Sequence, residues 1–330
     1  MTRIAGISTV VLVAPDSFKG TFSAAQVADA AGRGLVAGGF AVDLCPVADG
    51  GEGTLEALIT ALHGETRWAR VTDPLGRELH AAFGVCDSVA IVETAAASGL
   101  GLVEPAERDA IVASTRGTGE LILAAVAAGA KTIYLGVGGS ASTDGGAGAI
   151  QTIRGGGGLR GAQIVVLCDV RTPFEDAARV FGPQKGADPE QVRRLTARLH
   201  AFARRLERDP RGVPMTGAAG GLAGGLWGAL DAELVPGAAF VLDAVDFNAR
   251  MRSARAVLTG EGKLDQQSLA GKAVSEIATR ARQSGVPCYA IVGTRELDAF
   301  GARILDLQAV VEAETLEEIE LAAKRLAEVI

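Results

Sequence analysis

The stretch that most constrains this chain is GVGGSASTDGGAG, residues 136–148, which follows the apolar run Lys131-Thr132-Ile133-Tyr134-Leu135. The run has the composition of a short strand. Glycine is used where backbone takes positive φ or approaches another group closely. Among these glycines stand three hydroxyls (Ser140, Ser142, Thr143) and one carboxylate, Asp144. A loop built this way exposes successive N–H groups, and such loops bind anions where a helix N-terminus follows. A tight strand-to-helix turn packed under another element needs the same residues. Recurrence favours the anion site. Loops 16–20, 49–54, 182–186 and 260–265 repeat the design, each joining glycine to an acid, a hydroxyl or a lysine.

The run through Ala14 is continuously apolar from Ser8, as a buried parallel strand should be. Ser23 opens an amphipathic helix over 24–37, closed by Gly38-Gly39. A second strand over 41–46 and a helix over 55–62 follow. This order is that of a doubly wound α/β unit, whose ligands bind at the carboxyl ends of the strands. From Glu65 the pattern changes to short strands over 67–72, 79–84 and 89–93. Later come a helix over 121–128, a strand over 163–168, a strong helix over 189–208 and a Gly/Ala loop over 217–225. The end of the chain returns to βα alternation, with strands over 256–259, 287–292 and 305–311 and helices over 274–283 and from Leu316. The expected fold is therefore α/β. Residues 1–64 and 254–330 are expected to form one α/β domain, with 65–253 as an inserted second domain.

The 330 residues, 48% hydrophobic with net charge −7, suit this size of core. The charge is spread along the chain, and no Lys/Arg block suggests a nucleic-acid partner. The run 7–13 is too short to span a bilayer, no signal peptide is visible, and a soluble cytoplasmic protein is expected. Four separated cysteines suggest neither a disulfide frame nor a zinc site.

Lys19, Lys185 and Lys263 are candidates to balance phosphate charge. Asp16, Asp49, Glu52, Asp144, Asp169, Glu261 and Asp265 are candidates to hold Mg²⁺ or to act as base. Each has a plainer alternative: a turn-forming or capping acid, a solvated lysine, or for Glu52 an acid facing a helix dipole. Arg116 is either a carboxylate clamp or half of a structural ion pair. No GxxxxGK[ST] loop, HRD or DFG set, or GxSxG elbow occurs. Composition and spacing lead to an anion-binding α/β enzyme and no further.

Read together, the loops resemble one family, the bacterial glycerate kinases of the two-domain α/β type. The matching stretches are APDSFKG (14–20), PVADGGEGT (46–54), STRGTGEL (114–121), GVGGSASTDGGAG (136–148), FGPQKGA (181–187), GAAGGLAGG (217–225) and LTGEGKLDQQS (258–268). Between Ile150 and Val165 many relatives carry a longer segment. That difference bears on packing of the middle domain more than on chemistry. The resemblance implies a Rossmann- or flavodoxin-like domain from the first and last parts, a distinct inserted α/β domain (65–253), an active site in the cleft between them, domain closure, and ATP- and Mg²⁺-dependent phosphorylation of D-glycerate. The product it favours is 2-phosphoglycerate, with 3-phosphoglycerate as the alternative.

On that resemblance Asp16 or Asp49 takes the hydroxyl proton and Lys19 stabilises the transferred phosphoryl group. Gly138, Gly139, Ser140, Asp144, Gly145, Lys185 and Glu261 are assigned to ATP. Ser17, Gly50, Gly51, Glu52, Arg116 and Asp265 are assigned to the substrate, and Asp144 and Asp169 to the metal. A homodimer is left open. A nicotinamide oxidoreductase would want GxGxxG after the first strand, where this chain has PDSFKG. A non-catalytic hydroxy-acid sensor on the same fold would leave the many loop acids and lysines unexplained.

Overall fold

The computed structural model describes residues 9–330, so Ile7 and Ser8 of the first apolar run lie outside the described residues. The described strands are β1 (Val10–Pro15), β2 (Ala41–Leu44), β3 (Glu65–Thr72), β4 (Glu78–Cys86), β5 (Val89–Glu93), β6 (Thr132–Gly136), β7 (Gln163–Leu167), β8 (Glu233–Val235), β9 (Ala256–Leu264), β10 (Cys288–Arg295) and β11 (Val310–Glu312). The chain forms two compact units, Met1–Asp49 with Ala238–Ile330, and Gly50–Gly237.

The unit built from both chain ends has a parallel sheet in the order β11-β10-β9-β1-β2. Numbered within the unit this is 2-1-3-4-5, the flavodoxin-like order, and its switch point lies between β1 and β9. β1 reads VVLVAP and is buried along nearly its whole length, because helices cover both faces of a parallel sheet. Val11, Val13, Leu258 and Ile291 pack with Val27, Leu35, Ile319 and Leu326. The last four come from helices Ala24–Ala37 and Leu316–Leu326, each opened by a capping box, Ser23 with Gln26 and Thr315 with Glu318. The helices touch closely at Gly34, where a Cβ would lie 2.1 Å from the Glu320 carbonyl oxygen.

The middle unit has a mixed sheet in the order β3-β4-β5-β6-β7-β8. β3, β4 and β5 pair antiparallel, and β5 to β8 run parallel. Its main core joins Phe83, Leu121, Ile122, Ile133, Leu135, Ile164, Leu222 and Leu226. A smaller cluster gathers Phe174, Leu195 and Leu199. The α/β class and the construction of one unit from both chain ends are as the sequence predicts.

Several details differ from the sequence reading. The units part at 49/50 and 237/238, not at 64/65 and 253/254. Helix Thr54–Leu62 packs on β4 and β5, which places it in the middle unit. Helix Gly237–Ala244 is tied to helix Ala273–Ser284, where Arg280 donates to Asp243 Oδ1 at 2.6 Å. Residues 260–264 are not a loop. They continue β9, since Gly260, Gly262 and Gly293 let β9 and β10 pair without side chains at their closest approach. Residues 305–311 are a helix end, a turn and the start of β11. Residues 217–225 enter helix Leu222–Leu230 after a short 3₁₀ turn.

Glycine in that last helix supports the 136–148 loop. A Cβ on Gly225 would lie 2.0 Å from the Gly145 carbonyl oxygen. In an open helix Gly→Ala stabilises by about 1 kcal/mol. Gly225→Ala is expected instead to destabilise by roughly 1–3 kcal/mol through overpacking. Gly155→Ala, with open space around it at the end of helix Ala147–Gly155, is expected to be neutral or stabilising. Chemical denaturation of both variants checks this, and a Gly225→Ala protein as stable as wild type contradicts it.

Candidate active site

In the first unit the chemistry gathers at the carboxyl ends of β1 and β9. Pro15 pairs with Gly260, and the Asp16 N–H donates to the Gly260 carbonyl at 2.8 Å. Asp16 therefore leaves the sheet beside Glu261. The segment after β2 stays attached to β1, with the Val47 N–H donating to the Pro15 carbonyl at 3.0 Å. That attachment leads the chain to Asp49, whose Oδ2 accepts from Lys19 Nζ at 3.2 Å. Asp16, Asp49 and Glu261 are 3%, 9% and 6% exposed.

Burial raises the Asp16 carboxyl well above the usual aspartate value, and the charge of Asp49 raises it further. Lys19 and the Ser17 N–H, which donates to Asp16 Oδ1 at 2.7 Å, pull the other way. Burial also pushes Glu261 up to about 7, against the pull of the Ser268 hydroxyl and the Lys272 ammonium. Asp49 in turn holds the Lys19 ammonium well above its ordinary value.

An open cavity of about 370 Å³ runs along these groups, lined by Asp16, Ser17, Lys19, Glu261, Lys263, Lys272, Thr294 and Glu314 among others. The Ser17 hydroxyl and Glu261 Oε1 are buried and without a hydrogen-bond partner among the described residues. Asp265 is not among the lining residues. Its N–H donates to Ser268 Oγ at 3.0 Å and opens the turn after β9. Lys263 is ion-paired with Glu296 at 2.8 Å. The sequence reading missed Lys272 and Thr294. Neither sits in a strand–glycine loop holding an acid, and only the folded sheet brings them to Asp16.

In the middle unit the 136–148 loop packs against the start of that unit. A Cβ on Gly138 would lie 2.4 Å from Gly51 Cα, and one on Gly50 would lie 2.6 Å from the Leu167 carbonyl oxygen. Gly50 takes a φ of 86°. Glycine is therefore required here both for shape and for closeness. The structure thus joins Gly50 and Gly51 to Gly138, while Asp49 of the same motif belongs with Lys19. Glu52 is exposed at the turn that precedes helix Thr54–Leu62.

Asp144 accepts four hydrogen bonds. Oδ2 takes the Thr115 N–H and hydroxyl and the Gly148 N–H, and Oδ1 takes the Gly146 N–H, all between 2.9 and 3.1 Å. In this arrangement Asp144 fastens the loop to the starts of two helices, with three of the four bonds on Oδ2 and one on Oδ1. Lys185 is buried, and its Nζ donates to Ser140 Oγ at 2.9 Å and to the Ser142 carbonyl at 2.6 Å. Burial pushes its ammonium down to about 7, with the charge of Asp144 opposing. Lys185 thus braces the loop through these two contacts. Arg116 pairs with Glu120 at 2.8 Å, and Glu120 accepts from the Thr72 N–H and hydroxyl. This is the structural ion pair, one of the two roles the sequence left open. Asp169 is half-buried just beyond β7.

These contacts leave polar groups in the middle of the loop unpartnered, although Ser142 and Thr143 are fully buried. Among the described residues no partner is found for the N–H groups of Ser142, Thr143 and Asp144, or for the Ser142 and Thr143 hydroxyls. Successive N–H groups joined by hydroxyls and followed by helix Ala147–Gly155 are suited to phosphate oxygens. Mg²⁺ carried on such phosphates needs only one or two carboxylates. No group of three or more His, Cys, Asp or Glu poised for a metal occurs among the described residues.

The raised carboxyl of Asp16 has a consequence for stability. The folded state binds its proton more tightly than the unfolded state does, so stability falls as pH rises through that range. The destabilisation grows as pH rises above the ordinary aspartate value and is complete once pH exceeds the raised folded value. Asp16→Asn is therefore expected to raise the thermal midpoint at pH 8, with the gain shrinking as pH falls toward the ordinary aspartate value. Thermal scans of both proteins across pH check this. A variant less stable than wild type at pH 8 contradicts the buried ionised carboxylate.

Comparison with known proteins agrees with this geometry. The glycerate kinase family model matches residues 11–159 and 156–328, and the break falls in the short connector between helix Ala147–Gly155 and β7. A glycerate kinase of Halalkalibacterium halodurans is 39% identical over 323 residues, covering 86% of this chain and 85% of the relative. Glycerate 2-kinase of Escherichia coli K12 is 38% identical, also over 323 residues, with the same shares covered. A crystal structure assigned to glycerate kinase 2 of Salmonella typhimurium LT2 superposes with a TM-score of 0.80 at 34% identity, over 98% of each chain. The chain is a kinase and belongs to the glycerate kinase family.

Proposed function

We propose that this kinase phosphorylates D-glycerate with ATP and Mg²⁺ in the cytoplasm, and that the 2-hydroxyl is the acceptor. The observation that carries the reading is the buried Asp16 carboxylate beside Lys19 in an open cavity at the switch point of a parallel sheet. The name of the Escherichia coli relative supports the 2-position over the 3-position.

ATP supplies the phosphoryl group, and Mg²⁺ neutralises charge on its oxygens. Asp16 acts as general base and accepts the proton of the attacking hydroxyl. Its desolvation makes it a stronger base than an exposed aspartate, which suits a hydroxyl donor near neutral pH. Lys19 places a fixed positive charge beside it, and Asp49 orients that ammonium through the 3.2 Å contact. Ser17 offers a free hydroxyl to substrate oxygens. In the middle unit, Gly138, Gly139, Ser140 and Gly145 shape the loop that takes the nucleotide phosphates. Lys185 and Asp144 keep that loop in place. Asp169 is the carboxylate assigned to Mg²⁺.

A coupled ADP-release assay with D-glycerate, ATP and Mg²⁺ tests the reading, with phosphorus NMR of the product. Wild type should release ADP only with D-glycerate, and the spectrum should show 2-phosphoglycerate. Asp16→Asn should fall by about 10²–10⁴-fold, the usual contribution of a general base. Asp49→Asn should also lose activity, since Lys19 is then unanchored. Because Asp16 must be ionised, kcat/KM should fall as pH drops through a value well above that of an ordinary aspartate. Wild type that releases no ADP above background with D-glycerate overturns the substrate, and full activity in Asp16→Asn overturns the base.

A further inference from the structure

We propose that Lys272 binds the carboxylate of the acid substrate and sets the preference for a hydroxy acid over a neutral polyol. The inference rests on the function proposed above and deepens it. Three ammonium groups line the cavity of the first unit: Lys19, Lys263 and Lys272. Lys19 is bound to Asp49 at 3.2 Å and Lys263 to Glu296 at 2.8 Å. Among the described residues, Lys272 makes no hydrogen bond or ion pair through its side chain. It is only near enough to Glu261 to favour that group's ionisation.

Two further features point to a ligand. The Ser17 hydroxyl lines the same cavity, is 97% buried as a residue, and has no partner. A carboxylate that accepts from Lys272 and Ser17 satisfies both donors, and a buried hydroxyl gains most from such a partner. Lys272 is also the N-cap of helix Ala273–Ser284, which has no side-chain cap. The positive end of that helix adds to the attraction for an anion. Asp16 lines the cavity as well, so an acid held by Lys272 has its hydroxyl within the same enclosure as the base. A volume of about 370 Å³ accommodates a three-carbon acid.

The competing anion is a phosphate of the donor nucleotide, and kinetics separate the two. Steady-state constants for D-glycerate, glycerol and ATP would be measured for wild type, Lys272→Met and Lys272→Arg. Lys272→Met is expected to raise KM for D-glycerate about 10- to 100-fold, the usual effect of a charge-assisted contact. Its kcat should stay within a few-fold, its KM for ATP should be unchanged, and glycerol should gain relative to D-glycerate. Lys272→Arg should recover much of the affinity. An unchanged KM for D-glycerate, or an effect confined to ATP, overturns the assignment. Lys272 is half-buried without a partner, so the variants should keep the wild-type thermal midpoint.

Failure of the function itself is recognised separately, by wild type that does not turn over D-glycerate. Calorimetric binding of D-glycerate to wild type and to Lys272→Met then judges the lysine alone. Equal affinity, or no binding to either, overturns it.

Discussion

The arrangement depends on keeping a carboxylate out of water at the end of β1. Asp16 is held there by backbone, through the bond from its N–H to Gly260 and the parallel pairing of β1 with β9. Its neighbours Asp49 and Glu261 add like charge, and Lys19 relieves part of it. A folded protein gains nothing in stability from such a group. Destabilised, charged clusters of this kind are characteristic of sites where strength as a base matters more than stability. The flavodoxin-like order provides the place, because at the switch point neighbouring strands lead their loops apart and leave an opening.

The two units solve different problems with the same residue. In the middle unit, glycine lets backbone meet backbone. Gly138 lies against Gly51, Gly225 against Gly145, and Gly220 against Ser142. The polar residues among them divide the work. Asp144 and Lys185 hold the loop, while Ser142 and Thr143 keep unpaired donors. In the first unit, Gly260, Gly262 and Gly293 let β9 and β10 run side by side beyond Thr259, which carries Glu261 to the cavity on a strand and not on a flexible turn. A site placed on a strand is held more firmly than one placed on a loop.

Much of this was legible in the sequence because it is local. The apolar run of β1, the capped helices Ala24–Ala37 and Leu316–Leu326, and the glycine loops with their acids follow from spacing and turn chemistry alone. What was hidden depends on tertiary partners. The continuation of β9 through residues 260–264 is decided by β10, which lies across a helix in the chain. The helix Leu222–Leu230 contains Gly224, Gly225 and Gly228, a composition that resembles a loop until its packing against residues 145 and 174 is seen. Asp144 and Lys185 have the residue types of ligands, and only their partners show that they brace the loop. Lys272 has no motif at all. Its significance comes from being left unpaired among lysines that are paired.

The proposed catalysis rests on Asp16 as a desolvated carboxylate with strengthened basicity, set beside a Glu261 pushed up to about 7. Carboxyl-carbon NMR of protein labelled at Asp and Glu, followed across pH, tests it most directly, with Asp16→Asn and Glu261→Gln to assign the signals. Asp16 is expected to titrate well above the ordinary aspartate value and Glu261 at about 7. Both groups titrating in the normal carboxylate range would contradict it.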